Sequence, residues 1–124
     1  MKLLSVAIPC YNSQDYMGKC IRSILNGGDD VEIIIVDDGS SDKTLSIAKR
    51  YESKFPGIIK VVHQENGGHG EAVNTGIANA TGKYFKVVDS DDCLGKRALA
   101  SVLDQLKEFE EINTEVDMLI ANYV

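Results

Sequence analysis

Ile33-Ile34-Ile35-Val36-Asp37-Asp38-Gly39-Ser40-Ser41-Asp42 is the stretch on which the reading of this chain turns. Its first four residues are apolar and β-branched, with no alternation. A strand with one wet face would alternate apolar and polar residues. A run apolar on both faces predicts a strand covered on both sides, as in a parallel sheet. This strand, over residues 31–36, empties into three carboxylates spaced around Gly and Ser. Asp37, Asp38 and Asp42 equally suit caps for a following helix, because Asp and Ser favour both turns and N-caps.

Outward from that strand the chain alternates. Residues 3–8 predict strand one, ended by Pro9 and followed by a loop, Cys10-Tyr11-Asn12-Ser13. Helix one follows, with Ser13 as N-cap, Asp15 in the first turn, and Met17, Cys20, Ile21, Ile24 and Leu25 at helical spacing on one face. Gly27-Gly28 stops it. Helix two is expected over 43–53, burying Leu45, Ala48 and Tyr51, and Pro56-Gly57 turns the chain into strand three at 58–62.

A glycine-rich loop, Asn66-Gly67-Gly68-His69-Gly70, then leads into helix three, with Ala72, Val73, Gly76, Ile77 and Ala80 on one face. Small residues there permit close packing on a sheet. Thr81-Gly82 ends the helix and strand four follows at 84–88. Helix four is expected over 96–110 with Leu99, Val102, Leu103 and Leu106 inward, and a fifth strand at 116–124 around Met118-Leu119-Ile120-Ala121. Strict alternation of strand and helix predicts a three-layer α/β/α domain, a mostly parallel, Rossmann-like sheet with helices on both faces. Ligands in such sheets sit beyond the carboxyl ends of the strands.

That rule turns separate loops into one site. Strand four, Tyr84-Phe85-Lys86-Val87-Val88, runs directly into Asp89-Ser90-Asp91-Asp92. Carboxylates this close repel one another unless a cation compensates, and oxygen ligands suit a hard divalent ion, Mg²⁺ or Mn²⁺. Pro9 to Asn12, Asp37-Asp38, the glycine loop and Asp89 to Asp92 all fall at one rim. Each alone reads as a turn; together they read as a binding site.

Composition narrows the ligand. The chain of 124 residues fits one domain, with 44% apolar and 26% charged residues. A net charge of −6, with the basic residues scattered along the sequence, argues against a nucleic-acid surface. It leaves room for a nucleotide, because one metal ion inverts the local electrostatics. Three cysteines, Cys10, Cys20 and Cys93, without a CxxC spacing argue against a disulfide framework or zinc knot and predict a reducing, cytoplasmic setting. No stretch approaches the ~20 apolar residues of a spanning helix.

Neither GxGxxG nor GxxxxGK[ST] occurs, which removes dinucleotide-binding Rossmann and P-loop readings. A receiver domain would place its acidic pair after strand one and its phosphoacceptor Asp after strand three, whereas these acidic groups follow strands two and four.

The chain resembles the family 2 glycosyltransferases of the GT-A fold. The residues that carry the resemblance are Ser5-Val6-Ala7-Ile8-Pro9-Cys10-Tyr11-Asn12, Val36 to Asp42, Asn66-Gly67-Gly68 with Ala72, Asn74 and Gly76, and Asp89 to Asp92. They occur in the expected order over nearly the whole chain.

The resemblance implies a nucleotide-diphosphate-sugar donor, usually with uracil as base, a divalent metal, and a carbohydrate or glycolipid acceptor. By position, it implies that Pro9, Tyr11 and Asn12 line the base and ribose pocket, and that Asp38 accepts the base imino N–H. Gly68 and Ser90 would contact the donor. Asp91 would hold Mg²⁺ or Mn²⁺ on the diphosphate, and Asp89 the ribose or the metal. The family's acceptor-activating carboxylate has no counterpart after Asp92. Residues 1–124 are therefore expected to be the donor-binding part of a longer, inverting enzyme. A non-catalytic nucleotide-sugar-binding module, a metal-dependent nucleotidyltransferase and a domain with an incidental acidic rim are the alternatives.

Overall fold

The apolar runs become four strands of one sheet. The computed structural model describes residues 2–111, with β1 at Leu4–Cys10, β2 at Val31–Asp38, β3 at Ile59–Gln64 and β4 at Tyr84–Val87. The helices are α1 Met17–Leu25, α2 Thr44–Lys54, α3 His69–Asn79 and α4 Lys96–Glu111, and a single 3-10 turn at Gly28–Asp30 leads into β2. The expected fifth strand at 116–124 lies outside the described residues.

Spatial order is β3-β2-β1-β4 and every pairing is parallel. The chain steps outward from β1 to β3, then returns to lay β4 on the other side of β1. Parallel crossovers are right-handed, so reversing the direction of travel moves the connecting helix to the opposite face. Accordingly α1, α2 and α4 share one core with one face of the sheet, and α3 covers the other. β2 shows why its sequence lacks alternation. Ile33 and Ile35 join the larger core, Ile34 and Val36 pack with Ala72 of α3, and all four are fully buried. Each such side chain contributes about 1.5–3 kcal/mol of hydrophobic stabilisation.

α3 lies close against β1. A Cβ built on Gly76 would stand 2.6 Å from Ala7 Cβ, nearer than two carbons can approach. The small residues at Gly76 and Ala72 are thus required by the helix–sheet distance. That close contact also narrows the buried strip, which leaves Ile77 47% exposed, where an inward position was expected. Inward placement holds for α4, whose Leu99, Val102, Leu103 and Leu106 are all buried.

Two expectations at the start of the chain are corrected. β1 continues through Pro9 to Cys10, with Pro9 opposite Val36. Proline lacks an N–H and is tolerated in a strand only where none is needed. Ala7 turns its carbonyl to β4, accepting from Val88 N at 3.0 Å, so Pro9, two residues on, faces the same side. There β4 has ended. Ser13 does not cap α1: the cap position is Tyr16, without a side-chain bond. Ser13 is buried, with its hydroxyl 2.8 Å from Ser90 Oγ.

Candidate functional site

The carboxyl ends of the strands form one rim, and four loops meet there. The register sets Cys10 beside Asp37 and Asp37 beside His63, with Asp38 beside Gln64. The polar residues that end these strands therefore form a row.

The carboxylates after β2 are all engaged within the chain. Asp37, fully buried, accepts from Ser40 N at 3.2 Å and pairs with His63 Nδ1 at 2.7 Å. Asp42 accepts from Thr44 N at 2.9 Å and from the Thr44 hydroxyl, and so does for α2 what a capping Asp does.

Asp38 holds the glycine loop. It accepts from Gly67 N at 2.8 Å, Gln64 Nε2 at 2.8 Å and Gly68 N at 3.0 Å. Burial works to raise its carboxyl, but these three donors outweigh that effect and hold it below the ordinary carboxylate range. Gly39 permits the approach of the two loops. It has φ +72°, and a Cβ there would stand 2.6 Å from Asn66 N.

A cavity of about 360 Å³ opens above this junction, lined in part by Pro9, Tyr11, Asp38, Gly68 and His69. Tyr11 is 53% exposed, so it is a cavity wall and not a packed core aromatic. His69, the first residue of α3, is exposed at the same cavity. Asn12 is placed differently. Its φ is +50°, its Oδ1 accepts from Ser41 N at 2.9 Å, and its own N donates to Ser40 Oγ at 2.9 Å. Asn12 thus braces the β1 loop against the β2 loop instead of lining the cavity.

The acidic loop after β4 contrasts with the β2 carboxylates. Asp89, Asp91 and Asp92 are exposed, and each offers a carboxylate oxygen within 4.8 Å of the others. Among the described residues none of the three accepts a side-chain hydrogen bond or ion pair. Three converging, unspent hard oxygen donors fit Mg²⁺ or Mn²⁺. Asp89 and Asp92 also line a second cavity of about 320 Å³, with Lys86, Cys93 and Leu94. The loop is fastened from behind. Ser90 is buried against Ser13, the Cys20 thiol lies 3.5 Å from the Asp89 carbonyl oxygen, and Leu94 N donates to Ser23 Oγ at 3.0 Å.

The two buried thiols do not read as nucleophiles. Burial first, then neighbouring thiols and carboxylates, pushes Cys10 and Cys20 up to about 12, which keeps them protonated and unreactive.

The structure thus brings Pro9, Tyr11, Asp38 and Gly68 to one cavity and gathers Asp89 and Asp91 beside Asp92, with Ser90 turned inward beneath them. His63 and Gln64 escaped the sequence reading, which ended strand three at Val62. The rule that ligands gather at strand ends could have found them, since they are the next two residues.

Comparison with known proteins adds an independent line. Residues 5–114 match the sequence profile of Glycosyl transferase family 2. The chain belongs to that family. Glycosyltransferase GlyG of Streptococcus pneumoniae is 36% identical over 124 residues, covering 98% of this chain and 39% of GlyG. Among solved structures, S. aureus TarS 1-349 in complex with UDP-GlcNAc superposes with a TM-score of 0.77 at 33% identity, covering 89% of this chain and 32% of that one. The mannosyltransferase PcManGT of Pyrobaculum calidifontis, in complex with GDP-Man and Mn²⁺, superposes at 0.73 with 25% identity, covering 86% and 32%. This family 2 chain therefore has the GT-A glycosyltransferase fold, and spans well under half the length of each of these three relatives. Among its described residues no helix is long and apolar enough to cross a membrane.

Proposed function

We propose that residues 1–124 form the donor-binding part of a glycosyltransferase that uses a nucleotide-diphosphate-sugar, a UDP-sugar by preference, and passes the sugar with inversion to a hydroxyl of a carbohydrate or glycolipid acceptor. The observation that carries the proposal is the division of labour between the acidic groups. Asp37, Asp38 and Asp42, at and just beyond the end of β2, are spent on bonds within the chain, while Asp89, Asp91 and Asp92 are left converging and unpaired by any described residue. Family membership and the UDP-GlcNAc bound by TarS support the same reading.

In this reading Tyr11 offers an aromatic wall to the base. Asp38 keeps an oxygen lone pair for the imino N–H while it holds Gly67 and Gly68 at the cavity edge. A uracil presents that donor, and a base without it would leave a buried carboxylate lone pair unmatched, which disfavours that base. Asp91 and Asp89 would hold Mg²⁺ or Mn²⁺, which supplies charge neutralisation at the departing diphosphate. The GDP-Man and Mn²⁺ bound by PcManGT support the metal assignment. Ser90 contributes from beneath the loop. Because the matched part is under half of GlyG and TarS, we assign donor binding and not acceptor activation to these residues, in a cytoplasmic setting.

Paramagnetic relaxation tests the proposal. Substoichiometric Mn²⁺ with UDP is expected to broaden the amide resonances of residues 89–94 and of the Tyr11 and Gly68 region together. Broadening confined to residues 29–30 or 108–111, the other acidic surfaces, would reject it.

A further inference from the structure

We infer that Ser13 is a positioning residue that couples the nucleotide cavity to the acidic loop, through its buried bond to Ser90. The inference rests on the donor-site reading above and adds to it a contact that gives the two halves of the site one geometry. The sequence offered Ser13 only as a helix cap, and the structure removes that role.

The bond has the features of a built contact. Ser13 is 1% exposed and Ser90 9%, and their hydroxyl oxygens are 2.8 Å apart, the usual length for O–H···O. Among the described residues it is the one side-chain bond between the β1–α1 loop and the acidic loop. On the other side Ser13 Oγ accepts from Tyr11 N at 3.2 Å, so the same oxygen touches the backbone of the cavity wall. The Ser13 amide donates to Thr44 Oγ1 at 2.8 Å, and the Thr44 hydroxyl donates to Asp42. Ser13 is thus the junction of all three loops after β1, β2 and β4.

The remaining ties of the acidic loop come from α1, and they hold its backbone elsewhere. Cys20 reaches the Asp89 carbonyl oxygen, and Ser23 Oγ accepts from Leu94 N. Between these anchors lie Ser90, Asp91 and Asp92, with a turn closed by Asp92 N donating to Asp89 O at 2.9 Å. Ser13 is the contact that fixes the middle of the loop. Fixing it there presets the carboxylates for a cation and fixes their height relative to Tyr11. Preorganised donors bind with less ordering cost, and two ligands that need the same ordered loop assist each other reciprocally.

The test is a double-mutant cycle on the full 124-residue chain. UDP affinity is measured by calorimetry with Mn²⁺ and with EDTA, and uridine affinity reads the cavity without phosphates. In Ser13→Ala the gain in UDP affinity from Mn²⁺ is expected to fall about tenfold, a typical coupling size, a larger loss than uridine shows, because the lost coupling is to the acidic loop. Ser90→Ala should match it, and the double variant should lose no more than either single.

In the metal-free chain, hydrogen exchange at the Asp92 amide should quicken several-fold in both variants while Leu94, held by Ser23, keeps its protection. Unchanged Mn²⁺ coupling in both singles, or losses that add in the double variant, would overturn the inference. Should Ser13→Ala fail to fold, Ser90→Ala carries both measurements, since Ser90 is the less buried partner. A wild-type chain whose UDP affinity ignores Mn²⁺ removes the donor-site reading instead. The metal-free exchange then still decides whether Ser13 orders the loop.

Discussion

Replacing Asp38 by Asn isolates what the buried carboxylate does. Asp38 accepts three hydrogen bonds at 2.8–3.0 Å. In Asp38→Asn the amide keeps one acceptor oxygen, enough for Gly67 N and Gln64, but turns an NH₂ toward Gly68 N, so donor faces donor. Losing one bond to a charged acceptor costs about 1.5–3 kcal/mol, and changing the other two from charged to neutral acceptor costs about 0.5–1 kcal/mol each. Water reaches the loop and discounts the sum, which leaves about 2–3 kcal/mol. At roughly 4 °C per kcal/mol for a chain of this size, melting should fall by about 8–12 °C at pH 7.

The pH dependence has a defined sign. The Asp38 carboxyl is depressed in the folded chain. Its contribution is therefore complete above the unfolded value of about 3.9 and fades as pH falls toward and through the lower folded value. Urea unfolding of wild type and Asp38→Asn should therefore differ most at neutral pH and converge as pH drops below about 4. A difference under about 0.5 kcal/mol at pH 7, or one that stays constant with pH, would refute the clamp argument.

Two further outcomes follow from packing and burial. Gly76→Ala must displace α3 from Ala7 of the central strand; overpacking of about 1–3 kcal/mol against a helix-propensity gain of about 1 kcal/mol leaves a net loss. Gly70→Ala, with nothing within 4 Å, should be neutral or stabilising by up to about 1 kcal/mol, and urea midpoints of the pair test the opposite signs. In thiol labelling of the native chain at pH 8, the exposed Cys93 should react alone, because Cys10 and Cys20 are buried and pushed up to about 12; rapid labelling of two or more thiols contradicts this.

Much of the fold was legible because β2 carries its evidence in four residues. Ile33 to Val36 are apolar on both faces, and the structure covers both faces. The Leu/Val pattern of α4 and the small residues of α3 were equally readable, since each follows from one contact surface. What escaped was set by tertiary geometry. Pro9 reads as a strand end, yet it stays in β1 because β4 stops short beside it. Ser13 reads as a cap, yet a hydroxyl 77 positions away claims it. Ile77 shares a helical period with Gly76 but is excluded by how closely Gly76 approaches Ala7. At the site, residue types grouped these loops on one rim, as the structure does, but only coordinates separate carboxylates that are spent, such as Asp37 and Asp42, from those left open, such as Asp91.

The most direct measurement of the central claim is calorimetric titration of UDP into the chain with Mn²⁺, then with EDTA, for wild type and Asp91→Ala. The account predicts tight binding that needs Mn²⁺ and drops at least about tenfold in Asp91→Ala, whose melting temperature should match wild type because Asp91 is exposed and its side chain makes no bond to the other described residues. UDP binding that is indifferent to both EDTA and Asp91→Ala, or absent altogether, would contradict it.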